Sequence, residues 1–135
     1  MLGSLLAAEH EAVYAYGVLG ARLDAAQREL ALVAFDAHRF SREGLVVRLR
    51  AAGVVAASPP PGYAVSVANQ LEALRLAIHV ETDLGARWRD LAGETTDPDL
   101  RKLAVQGLSG CAVRATRWRI VAGVVPLTDP FPGQT

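Results

Sequence analysis

The chain has 135 residues, 51% of them hydrophobic, and its 14 Lys+Arg are balanced by 14 Asp+Glu, which fits one domain of ordinary size. Zero net charge and a pI near 6.8 argue against nucleic acid or an anionic membrane as partner, because both select clustered Lys and Arg. The single cysteine, Cys111, allows neither an intramolecular disulfide nor a cysteine-built zinc site, as suits a reducing, cytoplasmic location.

No membrane span or export signal is expected. The apolar stretch from Ala12 to Ala21 is too short to cross a bilayer, and the longer uncharged run after Ala51 contains Pro59-Pro60-Pro61-Gly62. The N-terminus lacks a basic start, and Glu9, His10 and Glu11 interrupt it early.

Four segments rich in helix formers follow in chain order: 2–23, 27–52, 65–92 and 98–124. In the first, Leu5, Glu9, Ala12, Val13, Tyr16, Leu19 and Leu23 recur at helical spacing. The second aligns Ala31, Ala34, His38, Ser41, Leu45, Leu49 and Ala52, with Glu29, Asp36, Glu43 and Arg50 opposite. The third aligns Val67, Leu71, Leu74, Ile78, Glu81, Leu84, Trp88 and Leu91, with Glu72, Arg75, His79 and Asp90 outward. The fourth aligns Leu100, Leu103, Gly107, Cys111, Arg114, Trp118 and Val121. Four amphipathic helices need a shared core, so the pattern predicts an all-α four-helix bundle in one domain, with a tail at 125–135.

The connections are informative. Asp24 to Ala26 is a short turn, and Gly93 to Asp97 is another, closed by Asp97-Pro98 as N-cap and first helical proline. Two antiparallel hairpins are expected. The segment 53–64 between them resists helix and, at ~3 Å per residue, reaches ~35 Å, close to the ~39 Å of the second helix. It is long enough to cross over and make helices two and three parallel; an up-down bundle is the alternative if it folds over one end.

Glu9, His38, Glu81 and Arg114 fall on the stripes their neighbours define as core. Charged groups are seldom buried unless paired, and inward carboxylates and histidines on separate helices are the raw material of a two-metal site. Flanking positions carry weaker candidates. His10 and Glu11 lie a step around from Glu9, where solvent or a subunit contact is expected, and Tyr16 is able to hydrogen-bond a carboxylate from beneath Glu9. Arg117 belongs to a basic run that helical rotation spreads. His79 reads as solvated, Cys111 as an inert core thiol, and Trp88 and Trp118 as packing at the bundle ends.

Several segments together carry a resemblance: residues 6–20 (Leu-Ala-Ala-Glu-His-Glu-Ala-Val-Tyr-Ala-Tyr-Gly-Val-Leu-Gly), Ala37-His38-Arg39, Trp88-Arg89-Asp90-Leu91, residues 112–119 (Ala-Val-Arg-Ala-Thr-Arg-Trp-Arg) and Pro130-Phe131-Pro132-Gly133. In this order they resemble an uncharacterised family of ferritin-like domains of unknown function, over nearly the whole chain. The resemblance implies a four-helix bundle and, in active members of the wider superfamily, a di-iron centre. That centre takes one Glu from each of helices one and three and a Glu-x-x-His from each of helices two and four.

Glu9 and Glu81 match the lone glutamates, but no Glu-x-x-His exists in the chain. His38 would have Phe35 or Ser41 as its motif partner, and helix four offers Arg114-Ala-Thr-Arg117. Arginine stays protonated and repels a cation. The leading expectation is therefore a non-catalytic bundle without cofactor or bound metal, its ligand set replaced by a buried Glu9, His38, Glu81 and Arg114 cluster. It would act as a structural or partner-binding module, and apolar Val18, Val47 and Leu76 beyond the core suggest a homodimer. The alternative is a divergent iron- or manganese-dependent oxidoreductase using Glu9, His38 and Glu81, with Glu11 or His10 recruited. A third reading is a small-ligand carrier with a pocket left by Ala- and Gly-rich faces.

Overall fold

The computed structural model describes residues 1–134; Thr135, the last residue of the expected tail, lies outside the described residues. The described residues form four α-helices, α1 (Leu2–Leu19), α2 (Ala25–Ala51), α3 (Gln70–Glu94) and α4 (Pro98–Ala122), and no strand. None of these helices is long and apolar enough to cross a membrane. The chain divides into two compact units, Met1–Ala73 and a second from Leu74 onward, the boundary falling in the first turn of α3.

The first unit is built on the α1/α2 hairpin. After Leu19 the chain tightens into a 3₁₀ turn at Gly20–Arg22, so regular α-helix stops short of the expected residue 23. Arg28 holds the corner by donating to the Gly20 and Leu23 carbonyls at 3.3 and 3.1 Å. α2 then starts on a capping box: Asp24 Oδ1 accepts from the Gln27 N–H at 2.8 Å, and Gln27 Oε1 accepts from the Asp24 N–H at 3.2 Å. It ends where Gly53, at φ +73°, allows the Gly53 and Val54 N–H groups to turn back onto the Arg50 and Leu49 carbonyls. Ala52 is exposed rather than on the core stripe, because it already belongs to this turn.

Residues 52–69 are non-helical and run beside α1. The Ala57 backbone lies near His10, Gly62 and the Tyr63 ring pack on Tyr14, and the Val67 carbonyl accepts from Arg22 Nε at 3.1 Å. Gln70 finally meets Gln27 at 2.7 Å, so the connector passes from the first half of α1 to the start of α2. The start of α3 is at Gln70, not at the expected residue 65. Asn69 Oδ1 accepts from the Glu72 N–H at 2.9 Å and Glu72 Oε2 accepts from the Ala68 N–H at 2.7 Å, an N-terminal cap that fixes where the helix begins. Leu71, expected inside, is consequently 48% exposed in the first turn.

The second unit is the antiparallel α3/α4 hairpin with the tail folded on it. At its turn Arg101 donates to the carbonyls of Ala92 and Thr95. Asp97 caps α4 through the Asp99 and Leu100 N–H groups, with Pro98 next. α4 stops at Ala122, before the expected residue 124, because Gly123 at φ +68° lets its own and the Val124 N–H turn onto the Ile120 and Arg119 carbonyls. Val121, assigned to the inner stripe, is exposed. The helices approach closely through small residues: Gly85 lies against Cys111, and the Trp88 indole covers Gly107, where a Cβ would stand 2.4 Å from the ring.

Candidate functional site: two buried charge pairs and a cavity

Three ionisable side chains on different helices are almost completely shut off from water: Glu9, His38 and Glu81 are 0%, 0% and 1% exposed. In the first unit, α1 carries Glu9 on the stripe of Leu5, Ala12 and Tyr16, and α2 carries His38 between Ala34 and Leu45. His38 Nδ1 and Glu9 Oε2 are 2.7 Å apart, a short, charge-assisted geometry. A carboxylate only accepts, so with Glu9 ionised Nδ1 carries the proton. Tyr16 stacks its ring on His38 at 5.5 Å between centroids, which fixes the imidazole plane.

In the second unit, Arg114 Nε donates to Glu81 Oε1 at 3.0 Å, the side chains being 16% and 0% exposed. The guanidinium folds back over Gly110, and its Nη2 donates to Cys111 Sγ at 3.6 Å. Cys111 is buried and unbridged. The guanidinium packs tightly on Gly110, where a Cβ would stand 3.1 Å from Arg114 Nη1.

The accessory candidates separate. Glu11 is exposed; its charge adds to the effect of burial in raising the Tyr63 phenol above its ordinary value. His10 is half-buried, with both ring nitrogens closed to water. Burial holds its imidazole below the usual 6.5. The Ala57 backbone, which approaches without closing a well-formed hydrogen bond, pulls the other way; Arg42 lowers the value further, and Glu43 and Glu9 raise it. Arg117 is exposed and lines a cavity of about 410 Å³ along α3, α4 and the tail. The Ala- and Gly-rich faces point to a pocket but do not place this cavity, because its outer wall is irregular chain.

The metal that the resemblance implies does not fit these residues. No group of three His, Cys, Asp or Glu side chains able to hold an ion occurs among the described residues. Glu9 is engaged by an imidazole and Glu81 by a guanidinium, and a guanidinium has no lone pair for a cation.

The geometry defines an all-helical protein that buries carboxylates against nitrogen bases. Residues 2–135 match the family described as Domain of unknown function (DUF4439), and the chain belongs to it. It is also similar to the crystal structure of a conserved hypothetical protein, rv2844, from Mycobacterium tuberculosis. The two share 35% identity over 97% of this chain and 94% of that one, with a TM-score of 0.87. Comparison with curated proteins found no match.

Proposed function

We propose that the chain is a non-catalytic ferritin-like module in which paired side chains stand where active members of that superfamily hold metal. In this reading the fold is ferritin-like and residues 52–69 are its crossover connector. The passage of residues 52–69 from His10 to Gln27 along α1 supports the crossover. Similarity to one solved chain across almost the whole length supports a single domain.

The observation that carries the reading is the Arg114 Nε to Glu81 Oε1 bond at 3.0 Å. A permanent cation already neutralises a carboxylate that a divalent ion would need. Such pairs add little net stability over an apolar core but fix helix register, and losing one member is costly. The biological role then lies on the surface. Val33, Phe40 and Val47 recur every seven residues on α2 and are 58%, 78% and 65% exposed, a stripe suited to a two-fold helix contact between copies. Val18 and Leu76, counted with Val47 as surplus apolar surface, are half-buried.

Titration of the purified, metal-free protein with iron(II) and manganese(II), followed by calorimetry, tests the proposal. No saturable site is expected. A stoichiometric site that disappears in Glu9→Gln and Glu81→Gln would restore the oxidoreductase alternative.

A further inference from the structure

The Pro130-Phe131-Pro132-Gly133 segment is not used by the charge pairs, yet it is closely fitted to the second unit. Asp129 Oδ1 accepts from the Phe131 N–H at 3.1 Å, and the Gln134 N–H reaches the Phe131 carbonyl at 3.1 Å, so two turns shape it. Gly133, at φ +84°, seats the chain against α3 so tightly that a Cβ would stand 2.8 Å from Arg89 Cβ and 3.0 Å from the Gly85 carbonyl. Only glycine meets both demands.

The segment seated in this way walls the cavity of about 410 Å³. Leu108, Ala112 and Val113 give it an apolar side, Glu81 and Cys111 lie on its lining, and Thr128 and Asp129 close it from the tail. Its size suits a ligand of roughly a dozen non-hydrogen atoms.

The polar groups determine what such a ligand carries. The hydroxyls of Thr82 and Thr116 donate to the Ile78 and Ala112 carbonyls of their own helices at 2.8 and 3.0 Å, so their protons are committed. Glu81 is occupied by Arg114 and Asp129 accepts from the Phe131 N–H, and the charges of both repel an anion from their parts of the lining, leaving the arginine side for one. Arg117 and Arg119 also line the cavity, and among the described residues neither has an ion pair. Two guanidinium groups beside apolar surface favour a carboxylate, held by charge-assisted, bidentate bonds.

We propose that this cavity binds a small monocarboxylic acid with an apolar body, its carboxylate on Arg117 and Arg119 and its body against Leu108, Ala112 and Val113. The site is independent of whether the buried pairs replace a metal.

Octanoate, 1-octanol and acetate, titrated calorimetrically into the full-length protein, supply the test. Octanoate should bind saturably at one per chain, and octanol and acetate each at least about tenfold more weakly, since one lacks the charge and the other the body. In the Arg117→Gln/Arg119→Gln double variant, octanoate should weaken about tenfold while octanol and the melting temperature stay unchanged. Thr128→Trp, a substitution in the tail outside every helix, should block octanoate by filling the cavity. Absence of saturable octanoate binding, equal affinity for octanol, or octanoate binding unchanged in the double variant would each overturn the assignment.

Discussion

Replacing His38 by leucine keeps the interior of the first unit filled but removes, among its contacts, a hydrogen bond and a ring stack. The Nδ1 to Glu9 Oε2 bond at 2.7 Å joins a charged acceptor, worth about 1.5–3 kcal/mol. The ring stack on Tyr16 at 5.5 Å adds about 0.5–1.5 kcal/mol. Their sum, about 2–4.5 kcal/mol, agrees with the ~3–5 kcal/mol typical of losing one member of a buried pair and is a large part of the ~5–15 kcal/mol that holds a domain folded. Glu9→Leu should cost a similar amount by leaving the imidazole without this carboxylate. If the two side chains act on each other, the double variant must lose less than the sum of the single losses, by about 1.5–3 kcal/mol. Urea unfolding of the four proteins at neutral pH, followed by helical circular dichroism, measures that difference. Losses that add to within about 0.5 kcal/mol would refute the coupling inferred from the 2.7 Å contact.

Gly107→Ala puts a Cβ about where the Trp88 indole lies, 2.4 Å from the ring. It should destabilise by about 1–3 kcal/mol and move the tryptophan fluorescence maximum; an unchanged melting temperature would show that the hairpin gives way easily. For His10, burial lowers the folded-state pKa below 6.5, so the unfolded chain takes up its proton first as pH falls. Stability should therefore drop as pH falls through 6.5 toward the folded-state value. Comparing urea midpoints of wild type and His10→Gln across that window checks the sign, the variant having the flatter profile. Sedimentation should give a dimer that Phe40→Glu converts to monomer; a monomeric wild type at high micromolar concentration would remove the role proposed for the α2 stripe.

Much of this architecture is legible in the sequence where periodicity and punctuation agree. Asp97-Pro98 marked the start of α4 from residue types alone, and Glu9, His38 and Glu81 could be read as buried because their apolar neighbours defined each stripe. α3 starts at Gln70, later than the apolar spacing of Val65, Val67 and Leu71 predicts. The decisive signal was Asn69-Gln-Leu-Glu72, whose side chains cap the helix. Spacing places Tyr16 on the buried face but cannot show its ring stack on His38, because it gives a direction and not a ring plane. Val47 is the one residue of the exposed α2 stripe singled out from the sequence; Val33 and Phe40 continue its seven-residue spacing and are exposed with it. Ala- and Gly-rich faces point to a pocket but not to its place: its wall depends on Gly133 lying against Gly85 and Arg89, a long-range contact with no local signature.

Thermal melting of Arg114→Leu with and without iron(II) tests most directly the claim that buried pairs stand in place of metal. Glu81, 1% exposed, loses the guanidinium that contacts it at 3.0 Å. The account predicts a loss of ~3–5 kcal/mol that iron does not restore. Unchanged stability together with newly acquired iron binding would contradict it.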